Sequence, residues 1–127
     1  MISLDANVIL RFLLNDVPSQ TAKARTLMTR PAVYVSDVVI SEVAFVLEKA
    51  MKFDRESVAL LLKTLTALPN LNHNSHVLAE TISLFGARKR LSFVDCYAAA
   101  ESNLFGTNLY TFDKKLISHG GPHVLAP

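Results

Sequence analysis

Residues 1–14 read MISLDANVILRFLL: a short apolar run, Ile2 to Leu4, then an acid, Asp5, then Val8 to Leu14 with apolar residues at helical spacing. The pattern predicts strand, turn, helix. The unit recurs along the chain. Val33 to Val35 is β-branched and aromatic, and Ser36-Asp37 offers a cap for a helix over the apolar-periodic stretch Val39 to Met51. Leu71 to His73 predicts a third strand, followed by a helix from Ser75 to about Lys89. Leu109 to Thr111 predicts a fourth, leading directly into Asp113, and Val124-Leu125 is a last extended piece after the turn Gly120-Gly121-Pro122.

Three further helices fill the intervals. Pro18 opens one that runs to about Thr29, with proline in the first turn where its missing N–H is harmless, and Pro31 stops it. Asp54 to Leu65 places Val58, Leu61, Leu62 and Leu65 on one side and ends at Pro69. Ser92 caps an alanine-rich helix, Phe93 to Ser102, closed by Gly106. Strands alternating with helices indicate an α/β fold with a parallel sheet covered on both faces. With 127 residues and no repeat, low-complexity tract or linker, a single domain over 1–127 is expected.

Composition narrows the functional classes. Half of the residues are hydrophobic and mean hydropathy is +0.29, high for a small chain, so some apolar surface is expected to meet a partner. The lone cysteine, Cys96, excludes an internal disulfide framework and a cysteine-rich zinc site, and a reducing cytoplasm suits it. The N-terminus lacks the basic and apolar regions of a secretory signal, and no apolar run approaches the roughly 20 residues of a membrane span. A net charge of +2 does not by itself announce nucleic-acid binding. If four of the 11 acids converge on one site, however, the 13 basic side chains outnumber the remaining acids and suit a phosphate backbone.

In open parallel sheets ligands bind beyond the carboxyl ends of the strands, where the following helices begin. Asp5 and Asp113 follow strands, and Glu42 and Asp95 are placed in the first turns of helices that can point to the same edge. Each acid also has a local explanation. Asp5 can cap the first helix, Asp95 completes the capping-box pattern Ser92-Phe93-Val94-Asp95, Asp113 can belong to a turn, and Glu42 can be a first-turn acid favoured by the helix dipole. Against this, Val39, Phe45 and Val46 fence Glu42 one turn away and predict partial burial of its carboxylate. Ala98 and Ala99 allow other elements close to Asp95, and no Arg or Lys stands one turn from either acid. A divalent cation would supply the missing partner.

Leu4-Asp5-Ala6-Asn7-Val8, Ser41-Glu42, Ser92-Phe93-Val94-Asp95 and Thr111-Phe112-Asp113, in that order, resemble the PIN-domain nucleases, and most closely the VapC-type toxins of bacterial toxin–antitoxin pairs. Many members carry an acid where Ser92 stands. The resemblance covers essentially the whole chain and implies a three-layer α/β/α fold with a small, mainly parallel sheet. It also implies endoribonuclease activity leaving 5′-phosphate and 3′-hydroxyl ends, a homodimer, and a separate antitoxin chain as partner.

On this reading Asp5, Glu42, Asp95 and Asp113 are the catalytic acids, with Asp5, Asp95 and Asp113 as ligands of one or two Mg2+ or Mn2+ ions, hard cations suited to oxygen donors. Glu42 would ligate or orient the attacking water. Asn7 and Thr111 each lie two residues from an acid and can fix it by hydrogen bonding; a local turn bond is the alternative for both. Arg11, Lys114 and Lys115 are candidate RNA phosphate contacts, and Arg88-Lys89-Arg90 reads as a cationic helix end.

His73, His76, His119 and His123 lack the spacing of a zinc site, and Cys96 reads as a small core residue. Two alternatives compete with the nuclease. A haloacid-dehalogenase-like phosphatase would need a second Asp where Asn7 stands. A protein of the same fold that binds RNA or a partner without cleaving is the other.

Overall fold

The computed structural model describes residues 1–127 as a mixed α/β fold with small parallel sheets. Strand β1 (Ile2–Ser3) pairs with β2 (Val33–Tyr34), and β2 with β3 (Leu71–Asn72), all parallel, in the register Ile2, Val33, Leu71. Strand β4 (Leu109–Tyr110) pairs in parallel with β5 (Val124–Leu125). The five extended segments stand where the sequence pattern puts them, but they form a three-stranded and a two-stranded ladder rather than one sheet. The first four are two residues long because a helix-cap position follows within three residues and turns the chain into a helix, while β5 is the last element and no helix follows it.

Seven α-helices complete the fold: α1 (Ala6–Leu14), α2 (Pro18–Met28), α3 (Asp37–Phe45), α4 (Arg55–Thr66), α5 (Ser75–Ala87), α6 (Phe93–Phe105) and α7 (Lys114–His119). Their ends follow local chemistry. Pro18 occupies the first turn of α2. Ser36 Oγ accepts from the Val39 amide at 3.3 Å, and Asp54 Oδ1 from the Ser57 amide at 2.8 Å. Gly106 ends α6 at φ 68°. The helix expected to run on to Met51 changes at Val46 into a π-helical turn, Val46–Ala50. Because α3 begins at Asp37, Glu42 lies in its second turn, not its first. The segment after Asp113, for which the sequence pattern predicts no element, is the short helix α7.

A cluster of buried apolar side chains runs from Leu4 to Val124, with Val33, Val35, Ile40, Val43, Leu47, Leu62 and Phe85 at its centre. Along β2, buried Val33 and Val35 flank exposed Tyr34, the alternation that the pleat imposes. Helix α3 packs on α1 and α6, and α5 packs on α4 and α6. These contacts bring the N-terminus of α6 beside α3. No helix among the described residues is long and apolar enough to cross a membrane.

Candidate active site

Three of the four acids stand at helix N-termini, where unpaired backbone amides and the dipole favour negative charge. Asp5 occupies the cap position of α1, directly after β1, but its side chain makes no capping hydrogen bond. Asp113 caps α7: its Oδ1 accepts from the Lys115 amide at 2.9 Å and the Leu116 amide at 3.4 Å, leaving Oδ2 over. Thr111 Oγ1 accepts from the Asp113 amide at 3.0 Å, so Thr111 fixes the backbone of the acid two residues on. Asp95 completes the capping box read from the sequence. Its amide donates to Ser92 Oγ, and its Oδ2 accepts from the Ser92 amide, both at 3.1 Å. Its Oδ1 stays free of the box.

Glu42 departs from expectation. Its carboxylate is exposed, because Phe45, expected to fence it, is itself 64% exposed. Helix α3 buries Ile40, Val43 and Ala44 instead, turning Glu42 outward toward α6.

Glu42, Asp95 and Asp113 line one open cavity of about 700 Å³ between α3, the segment before α6, and the start of α7. Lys89, Arg90 and Lys115 line it too. Helix α5 stops at Ala87, so Lys89 and Arg90 sit beyond it and face the acids' cavity rather than capping the helix. Asp5 is outside this lining. Asn7 and Arg11 border a different, smaller pocket with Gln20 and Lys23, and Arg11 is already engaged. Its Nη1 meets both oxygens of Asp16, at 2.9 and 3.0 Å, and its Nε donates to Gln20 at 2.7 Å. Lys114 is exposed and does not reach the cavity wall.

Donor chemistry and spacing bear separately on a metal. The acids in the cavity offer carboxylate oxygens, and none of Asp5, Glu42, Asp95 or Asp113 is held by a salt bridge among the described residues. Such donors fit a hard divalent cation. No three His, Cys, Asp or Glu side chains among the described residues stand close enough to enclose an ion.

Two features of the cavity region were not foreseen. Arg55 and Glu48 form a largely buried ion pair in its wall, with Nε to Oε2 at 2.6 Å. The available signal was an arginine at the first position of a helix, against the dipole. Beside the cavity, between α3 and α6, the Tyr97 hydroxyl donates to Asp37 Oδ2. Burial first, and then that bond, raise the Tyr97 pKa. Cys96 is fully buried and burial pushes its thiol up to about 12, so it is the core residue expected and no nucleophile.

No curated protein sequence matches the chain at a significant level. The family of PIN domains does match, over residues 2–121, a span that takes in all four acids and every element from β1 to α7. On this match, and with short parallel strands that lead into α1, α3 and α7 beside Asp5, Glu42 and Asp113, the chain belongs to the PIN domain family, a nuclease-type fold.

Proposed function

We propose that this protein is a Mg2+- or Mn2+-dependent endoribonuclease and the toxin of a toxin–antitoxin pair. The observation that carries the proposal is the shared cavity: Glu42, Asp95 and Asp113 line it with no salt-bridge partner, among Lys89, Arg90 and Lys115. A purely structural role would leave three carboxylates lining one opening with no ion pair among the described residues, beside three cations that are equally unpaired.

Asp95 and Asp113 would hold the ion with the oxygens their caps leave over, and Asp5 would reach it from the end of β1. The ion would supply an activated water and offset charge on the phosphoryl oxygens. Glu42, exposed on α3, would accept a proton from the attacking water or orient it. Lys89, Arg90 and Lys115 would hold the flanking phosphates, in place of the engaged Arg11. Lys114 would act only at the outer rim. An antitoxin would inhibit by laying arginines across the cavity, since a guanidinium fork matches carboxylates and displaces a cation.

Metal-free protein is expected to leave RNA intact, to cleave it when Mn2+ is added, and to lose cleavage in Asp95→Asn. Equal cleavage by parent and Asp95→Asn would overturn the assignment. The spacing of the acids favours one competing reading, RNA or partner binding without chemistry, because no three donors enclose an ion among the described residues. Single-turnover cleavage with Mn2+ separates the two: binding with no product would establish the second.

A further inference from the structure

Arg55 is 7% exposed although it is the first residue of α4. Its guanidinium is fully committed. Nε and Nη2 grip the two Glu48 oxygens at 2.6 and 3.1 Å, and Cζ lies 3.8 Å over the Phe85 ring. Nη1 donates to three carbonyls, those of Phe85 and Arg88 at 3.0 Å and of Leu91 at 2.8 Å. The first two belong to the end of α5, where carbonyls lack helical partners. The third belongs to the residue before Ser92. One side chain therefore holds the whole passage from α5 to α6.

The Leu91 carbonyl and the Ser92 amide are two ends of one peptide group, planar and stiff. Arg55 holds its oxygen, and its N–H donates to Asp95 Oδ2 at 3.1 Å. A continuous chain of hydrogen bonds thus runs from Glu48 through Arg55 and that peptide to the carboxylate of Asp95. The same anchored segment carries Lys89 and Arg90 into the cavity. Arg55 cannot serve as a phosphate contact, because Glu48 already answers its charge.

We propose that Arg55 is a positioning residue for Asp95: through the Leu91–Ser92 peptide it fixes the orientation of the carboxylate and leaves Oδ1 available. This rests on the function proposed above. A buried arginine held only for stability would have no reason to end its bonding chain on a cavity acid.

The test is Arg55→Lys in the full chain, assayed well below its melting temperature with folding checked by circular dichroism. A lysine ammonium can reach some of the carbonyls but cannot make the two-pronged contact with Glu48 as well. Supporting partners of this kind are typically worth ~10- to 100-fold in metal affinity or activity. The variant is expected to lose about tenfold or more in kcat, with KM for RNA changed less than about twofold, and to need more Mn2+ for half-saturation.

Hydrogen exchange on the metal-free proteins supplies a readout independent of activity. The Ser92 and Asp95 amides should exchange faster in Arg55→Lys, while those of Ile40 and Val43 in α3 keep parental rates. Glu48→Gln, which keeps the shape and weakens the grip on Arg55, should move the same quantities in the same direction by less, and it stands in if the lysine variant does not fold. Unchanged protection at Ser92 and Asp95 would overturn the inference, as would equal acceleration across α3. A parent that fails to cleave RNA with Mn2+ would overturn the proposed function instead, and exchange would still decide the role of Arg55.

Discussion

Asp95 commits one carboxylate oxygen to the fold and leaves the other out of the capping box, so its structural role and its proposed catalytic role can be tested separately. Oδ2 completes the capping box with Ser92, and Oδ1 is left for the cavity. Asparagine at this position keeps an acceptor for the Ser92 amide and loses the charge. In chelator, Asp95→Asn should therefore cost a few tenths of a kcal/mol for the lost dipole interaction, while Asp95→Ala should cost about 1 kcal/mol for the lost cap. Relief of repulsion among the acids offsets little of this, since no three of them are close enough to enclose an ion. With Mn2+ added, the parent should gain melting temperature and both variants should gain less. Equal metal-linked gains in all three would remove Asp95 from the metal site.

Cys96 gives a second test at the same scale, this time of pH dependence. Its folded-state pKa, near 12, lies above the ordinary 9.0 because burial penalises the thiolate. A raised pKa means that the folded state holds the proton more tightly, so this contribution to stability is complete below pH 9.0 and declines as pH rises toward about 12. Cys96→Ser or Cys96→Ala should flatten that decline in denaturant titrations, and the native thiol should react with alkylating reagents only on unfolding. Rapid alkylation of the folded protein at neutral pH would contradict it.

At the scale of elements, helix boundaries were legible wherever a single residue decides them. Ser36, Ser92, Pro18 and Gly106 do so through one hydroxyl, one ring or one backbone angle, and each stands where the sequence places it. Gly106 adopts φ 68° with open space where a Cβ would go, so Gly106→Ala should cost about 1 kcal/mol from backbone conformation alone. A thermal melt checks it; an unchanged melting temperature would mean that α6 ends elsewhere. Elements that depend on more distant partners were not legible. Helix α7 has six residues with only Leu116 fully buried, too few to show a period. The π-helical turn leaves the apolar pattern intact while altering the backbone bonding, Met51 N–H to the Val46 carbonyl at 2.9 Å. The odd place of Arg55 at a helix start was visible, but its role was not, for the same reason: its acceptors at Phe85, Arg88 and Leu91 lie 30 or more residues away.

At the scale of the molecule, the α/β class followed from the alternation of patterns, but the division of five strands into two ladders is a matter of long-range pairing that no local run encodes. The site divides likewise. Acids at strand ends and helix starts could be nominated one by one, and the approach of Glu42 to Asp95 follows from α3 packing on α6. Asp5, nominated on the same grounds, stands outside the cavity lining, which packing rather than position in sequence decides. Part of the chain's apolar content is left at the surface. Val38, at 78% exposed, and Val94 line a shallow groove between α3 and α6 with Tyr97, adjoining the acids' cavity.

Large apolar side chains left in water on two packed helices favour association, and a second copy of the chain is the occupant we expect. A stable contact needs about 800 Å² from each partner, roughly a tenth of the 7376 Å² this chain exposes. A groove with Val38 and Val94 at its rim and Phe45 nearby provides a fitting apolar centre for such an area. Light scattering at tens of micromolar, the range in which modest interfaces associate, should therefore give twice the 14.0 kDa chain mass. Val38→Glu and Val94→Glu point outward in the monomer and should leave circular dichroism unchanged, yet in a two-fold contact each would bring a pair of unpartnered carboxylates into the interface. Either substitution should shift the mass toward the monomer and raise the concentration needed for dimer by at least tenfold, about 1.4 kcal/mol. A parent that scatters as a monomer would remove the dimer altogether, and a dimer indifferent to both substitutions would move its interface away from α3 and α6.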